Sequence, residues 1–304
     1  MKKLIVYVLI AGCSLLGFGQ EVLVIPYDAN SLTDEQRNSN PDYLIYPASL
    51  KDSVSSIMMV CEENEFAFSV SATDKVMFSP GNLQYHPAND EWRFAPNQWD
   101  YIGEENSNIS STYNGWLDLF GWSSDNPTTP FGVSTSVDDN DYGGTFVDWG
   151  INEIGTDAPN TWRTLTYDEW KYLRDNRTNA DALYGVAQVN GVNGLIFLPD
   201  NWTCPAGVIF KSGLSTGLPG DYAACQTFTA DQWSKLEAAG ARFLPAAGRR
   251  YGSNVDDVQF NGSYWSATEI NSNNAGHFYF YTFGVGVSNY YRSRGQSVRL
   301  VKDL

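Results

Sequence analysis

Residues that could do chemistry are few in this chain, and their spacing is not that of a catalytic site. It has two histidines and four cysteines, and no cysteines are spaced as CxxC, so a zinc or copper site is not predicted. A serine nucleophile needs a histidine base and an orienting carboxylate. His86 lies in a Tyr-His-Pro turn and His277 heads a predicted strand, and neither context predicts such a triad. We expect a non-enzymatic protein without catalytic residues, metal or cofactor.

Acidic side chains are plentiful but form no diagnostic pattern. The 35 Asp and Glu residues offer carboxylate pairs of the kind that glycosidases use, yet no spacing singles one out. The run from Asp138 to Asp141 carries oxygen ligands suited to calcium, but Tyr142 stands where an EF-hand loop has its third ligand. Pro199-Asp200-Asn201-Trp202 contains the letters of calcium-dependent sugar sites in another order. Both segments are predicted to be solvated turns or loops.

Aromatic and polar side chains near the C-terminus have the spacing of a binding surface. In one predicted strand, Phe278 and Phe280 share a face while His277, Tyr279 and Tyr281 share the other. Exposed tyrosines suggest a binding role, because Tyr is among the residues that dominate binding hot spots. The candidate ligand-binding positions, predicted to face outward, are Gly276, His277, Tyr279, Tyr281, Gly284, Gly286, Ser288, Asn289, Tyr290, Tyr291, Ser293 and Arg294. The residues predicted to form the framework are Phe278, Phe280, Val285, Val287, Arg292, Val298 and Leu300.

The elements that must position this surface are short. Thr166 with Glu169 and Thr229 with Gln232 have the spacing of capping boxes, so helices are predicted from Tyr167 to about Asp175 and from Ala230 to Ala239. Period-two patterns predict short strands, including four at the C-terminal end. These four are 264–267, 276–283, 285–291 and 296–301. Other predicted strands are 66–70, 76–78, 83–85, 92–94, 194–198, 208–210 and 242–244. Residues 103–160 show little periodicity and are predicted to be a long loop held by large side chains.

The start of the chain has the features of an export signal. Lys2 and Lys3 precede a short apolar run, and Gly17-Phe18-Gly19 resembles a cleavage site, so residues 1–19 are predicted to be a signal peptide. Ile10-Ala11-Gly12-Cys13 is the alternative, a lipobox with a lipid anchor on Cys13. Residues 20–64 are expected to be an N-terminal leader segment and residues 65–304 the main domain.

Charge and cysteine content narrow the class of protein further. The net charge of -16 disfavours nucleic acid and anionic membrane as partners, because phosphate binding requires clustered cations. No apolar run is long enough to predict a membrane span. After the signal, Cys61, Cys204 and Cys225 remain. The sequence leaves two states open: a disulfide bridge between Cys204 and Cys225, or three buried thiols.

Five motifs occur in the order in which a known family has them. They are Trp162-Arg163-Thr164-Leu165-Thr166 with Glu169-Trp170, then Gly194-Leu195-Ile196-Phe197-Leu198-Pro199-Asp200-Asn201-Trp202, then Phe243-Leu244-Pro245-Ala246-Ala247-Gly248-Arg249, then Tyr264-Trp265-Ser266, and Ser297-Val298-Arg299-Leu300-Val301. Through them, residues 65–304 resemble the Fibrobacter succinogenes major paralogous domain, common in secreted and surface proteins of the Bacteroidales. That family is similar to the formylglycine-generating-enzyme type of C-type-lectin fold. The resemblance implies an α+β, C-type-lectin-like domain with two helices, short antiparallel sheets and long irregular loops.

The resemblance also bears on activity and on the C-terminal surface. Formylglycine-generating relatives use a cysteine pair near the C-terminus, and this chain has no cysteine after Cys225, so that activity is not carried over. The same fold hosts the variable proteins of diversity-generating retroelements, whose mutated Asn codons can encode Gly, His, Tyr, Phe, Ser, Asn, Arg or Val. Every candidate binding position carries one of these residue types. The alternative is an ordinary polar strand surface.

These patterns together predict a secreted or outer-surface recognition protein, adhesin-like, whose C-terminal surface binds a protein or glycan on a cell or phage. No nucleic-acid partner and no membrane span are expected. One alternative is an enzyme, or a degenerate enzyme, on the formylglycine-generating scaffold. Another is a structural component of a surface assembly.

Overall fold

A computed structural model describes residues 23–27, 43–47, 66–215 and 217–304, with only the backbone of the first two segments. The chain divides into two units, residues 1–66 and 67–304. In the first unit, β1 (Leu23–Tyr27) and β2 (Tyr43–Pro47) pair in parallel. The predicted signal peptide, the rest of the leader, Cys13 and Cys61 lie outside the described residues.

The second unit mixes many short strands with two helices. The strands are β3 (Phe68–Ser69), β4 (Lys75–Phe78), β5 (Leu83–His86), β6 (Glu91–Phe94), β7 (Arg163–Thr164), β8 (Tyr184–Val189), β9 (Val192–Phe197), β10 (Thr227–Phe228), β11 (Arg242–Pro245), β12 (Arg249–Tyr251), β13 (Asn254–Asp256), β14 (Gly262–Glu269), β15 (Asn274–Tyr281), β16 (Gly284–Tyr291) and β17 (Leu300–Asp303). The helices are α1 (Tyr167–Lys171) and α2 (Ala230–Ala238). The α+β class is confirmed.

Both helices start where their capping boxes place them. Thr166 accepts the Glu169 N–H while the Glu169 carboxylate accepts the Thr166 N–H, and Thr229 and Gln232 repeat this exchange. Each box satisfies two backbone donors that a helix start leaves free. After Lys171, α1 continues as one π-helical turn, Tyr172–Asn176, so the helical segment ends within a residue of its predicted end.

The strands form small sheets that are mostly antiparallel. Two sheets have four strands, in the orders β3-β4-β17-β7 and β10-β8-β9-β11, and one has three, β14-β15-β16. The strand predicted over 296–301 is partly wrong, because β17 begins only at Leu300 and joins β4 and β7. Gln296 and Ser297 instead make isolated bridges with Phe120 and Tyr264. The strand predicted at 208–210 is also wrong, since those residues lie in a loop.

A continuous core joins α1 to the three-stranded sheet. Trp170 of α1 stacks on Phe278 of β15, with ring centroids 4.7 Å apart and planes 12° from parallel. Phe197 of β9 lies 5.5 Å from the same Phe278 ring, and all three side chains are fully buried. Burying aromatic rings of this size is a dominant source of stability. The inner face of β15 is therefore fixed by two other elements.

The long loop over residues 103–160 is held by large side chains, as its composition predicts. Leu117, Leu119, Phe120, Trp122 and Trp149 are fully buried. This loop lies beside the C-terminal segment. The backbone N–H of Trp122 donates to the Arg292 carbonyl, and Phe120 exchanges two backbone hydrogen bonds with Gln296. A segment whose regular structure is limited to short 3-10 helices thus supports the end of the chain.

Candidate functional site

The candidate site lies on the three-stranded sheet. β15 and β16 form a hairpin whose turn is Thr282-Phe283, and they pair in unbroken register from Tyr281↔Gly284 to Asn274↔Tyr291. β14 pairs with the other side of β15, with Trp265 opposite His277. Because side chains alternate along a strand, this register decides which residues share a face.

One face carries a row of aromatic rings. Tyr281 and Tyr279 have ring centroids 6.4 Å apart, Tyr279 and His277 5.7 Å, and His277 and Tyr290 5.6 Å, with interplanar angles of 13°, 28° and 26°. We call these four residues the aromatic row. The split between this face and Phe278 with Phe280, which are fully buried, is confirmed.

Gly276, Asn289 and Tyr291, predicted to share the outward face with the tyrosines, lie on the opposite face of the sheet, and only Gly276 is buried there. Gly276 pairs with Asn289 on the face that carries Phe278, and a Cβ on Gly276 would lie 2.9 Å from the Tyr167 ring of α1. Asn289 and Tyr291 also lie on that face but are exposed, Tyr291 by 50%. Alternation along each strand accounts for these positions, because Gly276 is two residues from Phe278, and Asn289 and Tyr291 are two and four residues from Val287.

The exposure of the other candidates varies widely. Tyr281 is 37% exposed, and Tyr279, Tyr290, Gly284, Gly286, Ser288 and Arg294 are half-buried. Ser293, predicted to face outward, is buried, and so is the predicted framework residue Arg292. Arg292 forms an ion pair with Glu269 at 2.6 Å and lies 4.5 Å from the centre of the Trp122 ring. Residues 292 and 293 therefore belong to the support of the site.

His277 supports the row from below the surface. It is 7% exposed, and its Nδ1 lies 2.9 Å from Gln296 Oε1, which can only accept a hydrogen bond. Burial lowers the pKa of His277 to about 4, with a smaller contribution from Arg249, although the Gln296 bond opposes the shift. The ring is therefore neutral near pH 7 and acts as a spacer between tyrosines rather than as a cation.

Two glycines on β16 lie beneath the tyrosines, and Gly284 makes room for Tyr281. A Cβ on Gly284 would lie 2.5 Å from the Tyr281 ring, and one on Gly286 would lie 3.7 Å from Tyr279 Oη. Each tyrosine therefore reaches across the sheet and lies over a glycine of the neighbouring strand. The rings therefore lie against the β16 backbone at positions 284 and 286, where there is no side chain.

Two arginines lie at the Tyr290 end of the row, and the sequence predictions included only one of them. Arg249 of β12 donates to Tyr290 Oη at 2.9 Å and forms an ion pair with Asp257 at 2.8 Å. The Arg294 guanidinium lies 3.6 Å from the centre of the Tyr251 ring and 5.8 Å from that of Tyr290. Within the described residues, Arg294 has no carboxylate partner, and its Nε is buried without a hydrogen bond. β12 carries no periodic signal, so Arg249 and Tyr251 could not be assigned to the site from the sequence.

The acidic residues considered for calcium have protein partners. Asp138 accepts the Asn140 N–H, Asp139 accepts the Ser293 N–H at 3.0 Å, and Asp141 accepts the Ser136 hydroxyl. Asp200 accepts hydrogen bonds from the Ser69 N–H and hydroxyl. It therefore connects β3 to the turn after β9 and is more than part of a solvated turn. Among the described residues, no three His, Cys, Asp or Glu side chains come together as a metal site would require.

The other chemical candidates are separate from the row. Cys204 is exposed and Cys225 half-buried, both as free thiols, so neither the bridge nor full burial predicted for them is observed. Residues 213–217 match GxSxG, a nucleophile spacing that the sequence predictions passed over. Ser215 is buried there, and its hydroxyl accepts the Gly217 N–H. It is not on the strand-to-helix turn that this motif requires.

Comparison with known proteins gives one family match. Residues 226–301 match a family described as a domain of unknown function (DUF8237). The matched segment runs from β10 through β16 and the Arg294 end of the row, so it contains the sheet and both arginines. A search of curated proteins and a search of solved structures each gave no match. Within the described residues, no helix is long and apolar enough to cross a membrane.

Proposed function

We propose that the protein is a non-enzymatic recognition protein that binds its ligand on the aromatic row. The observation that supports this most is the near-parallel row itself, held on a rigid sheet with Tyr279 and Tyr281 at the surface. Tyrosine presents a large, stiff contact area and loses little conformational entropy on binding. Neither hydroxyl has a hydrogen-bond partner among the described residues, so both can bond a ligand.

Rigidity supports the same proposal. Phe278, which precedes Tyr279 in sequence, is stacked on Trp170, so the strand cannot shift without disturbing the core. Arg249 fixes the Tyr290 hydroxyl. A surface that is ordered before binding spends little free energy on ordering when the ligand arrives.

Arg294 gives the row a charged end. It is a cation without a counter-ion among the described residues, in a chain of net charge -16. Arginine binds carboxylates through two parallel hydrogen bonds, so this end suits an isolated acidic group on the ligand. The overall negative charge opposes ligands with many anionic groups.

The family and location proposed for the chain follow from the sequence. We propose a C-type-lectin-like domain of the Fibrobacter succinogenes major paralogous type, secreted or displayed on the outer surface. The ligand proposed is a protein or glycan on a cell or phage surface. Diversification of the C-terminal positions is part of this proposal, and Ser293 and Gly276, both buried, are the positions least suited to it.

The test is a binding screen with matched variants. The full chain is applied to glycan and surface-protein arrays, and hits are measured again with Tyr279→Ala/Tyr281→Ala. The control is Tyr113→Ala/Tyr172→Ala, which removes two tyrosines from other parts of the surface. Loss of binding only in the first double variant supports the proposal. Equal binding by both double variants and the parent protein would contradict it.

A further inference from the structure

β16 is an edge strand whose outer backbone groups are unpaired. The turn between β15 and β16 has two residues, so Tyr281 and Gly284 form the hydrogen-bonded pair that closes the hairpin. Alternation then directs the N–H and C=O groups of Val285, Val287 and Asn289 away from β15. None of these groups has a backbone partner among the described residues. A row of free donors and acceptors therefore runs along this edge.

Other sheet edges of the second unit are short, interrupted or covered. β3, β7 and β10 have two residues each. β14 has a register shift after Trp265, and its outer edge bonds to Ser297. Proteins commonly protect edges by shortness, charge, proline, bulges or cover. β16 has no charge, proline or bulge over its eight residues, and among them only Val285 is buried.

The aromatic row reaches toward this edge. Tyr281 and Tyr279 lie over Gly284 and Gly286, which are themselves residues of β16. A strand added beside β16 would place alternate side chains on the same face as these glycines. Those side chains would meet the tyrosine rings, because no side chain of β16 stands between them at positions 284 and 286. Edge and row together form one continuous surface.

We propose that the ligand is an extended peptide segment of another protein, which adds to β16 as a fourth strand of the sheet. This rests on the proposed function and specifies its ligand. Backbone hydrogen bonds to Val285, Val287 and Asn289 supply affinity, and contacts of alternate peptide side chains with Tyr279 and Tyr281 supply specificity. A second copy of the chain fits less well. Two chains of net charge -16 repel each other, and β16 has no charged side chain to offset that repulsion.

Two edge variants test the pairing. Asn289→Pro removes an outward N–H and places a ring on the edge, whereas Asn289→Ala keeps the N–H; the Asn289 side chain is exposed. Randomised peptides about seven residues long, enough to span the strand, are displayed and selected on the full chain. Selected peptides are measured by fluorescence polarisation. We expect binding about tenfold weaker with Asn289→Pro and within about twofold with Asn289→Ala.

A second measurement does not depend on the folding of any variant. N-methylation of every second peptide residue should abolish binding when the methylated N–H groups are those that face β16. Methylation of the other set, whose N–H groups face away from β16, should leave binding unchanged. Selected peptides that bind equally to Asn289→Pro, or tolerate methylation in both phases, overturn the strand-addition proposal. If they still lose binding in Tyr279→Ala/Tyr281→Ala, the proposed function stands.

The remaining outcomes also separate the two proposals. Failure to select any peptide, together with tyrosine-dependent glycan binding, overturns strand addition but supports recognition by the row. Sedimentation that shows a dimer of the full chain, lost in Asn289→Pro, replaces the peptide by a second copy. Binding that ignores both the tyrosines and the edge overturns both proposals.

Discussion

The Tyr281 ring lies over Gly284 of the neighbouring strand, so closely that a Cβ on Gly284 would come within 2.5 Å of it. The next tyrosine, Tyr279, has the same relationship with Gly286, but at 3.7 Å. Neither glycine has a positive φ, so the space they leave, and not backbone conformation, is what their missing side chain provides. The position of the Tyr281 ring therefore depends on Gly284, whereas a methyl group on Gly286 would fit beside Tyr279.

We expect Gly284→Ala to displace the Tyr281 ring, because the added methyl group would overlap it. Gly286→Ala is the matched control, since its methyl group would make ordinary van der Waals contact with Tyr279. In ¹³C spectra of tyrosine-labelled protein, the Tyr281 resonances should move in the first variant, while those of Tyr279 stay nearly unchanged in the second. Unchanged Tyr281 resonances in Gly284→Ala would contradict the close contact with Gly284, and equal displacement in both variants would contradict the difference between the two glycines.

Adjacent residues of β15 should differ sharply in their effect on stability. Phe278→Ala removes a fully buried ring stacked on Trp170 and should lower the free energy of unfolding by about 3–5 kcal/mol. Tyr279→Ala truncates a half-buried side chain on the opposite face and should cost about 1 kcal/mol. Urea denaturation of both variants measures the difference. Similar losses would contradict the assignment of the two faces.

The sequence predicts local features of this fold better than long-range ones. Both capping boxes and the alternation of Phe278 with Tyr279 depend on residues within a few positions, and both are confirmed. The pairing of Gly276 with Asn289, and the position of Arg249 beside Tyr290, depend on register and on tertiary packing. No short-range pattern specifies these, which is why Arg249 was missed. The face of Gly276 is different, because alternation alone places it with Phe278, two residues away on the same strand.

His277 should make stability depend on pH. Its pKa is lowered to about 4 in the folded protein, whereas an unfolded histidine has a pKa of about 6.5. The unfolded state therefore binds more protons between these values, so stability is fully present above pH 6.5 and is lost as pH falls toward 4. The shift corresponds to about 3 kcal/mol at most.

His277→Gln isolates this effect from other titrating groups. Asp118 has a pKa raised to about 6 by burial, which acts in the opposite direction but is common to both proteins. The stability of the parent protein relative to His277→Gln, from urea titrations at several pH values, should fall between pH 6.5 and 4 and be constant above pH 7. A difference independent of pH would mean that His277 is not buried in its neutral form.

The hydrogen bond between the Asp139 carboxylate and the Ser293 N–H should control the order of the Arg294 end of the row. It joins the long loop to the residue before Arg294, at 3.0 Å. Asp139→Ala leaves that buried donor without its partner, which should cost about 1–3 kcal/mol locally. Asp138→Ala is the control, because Asp138 only accepts from nearby Asn140. Amide hydrogen exchange at Ser293 and Arg294 should quicken in Asp139→Ala alone. Faster exchange in both variants would instead indicate general loosening of the acidic loop, and then Arg294 would owe its position to stacking on Tyr251.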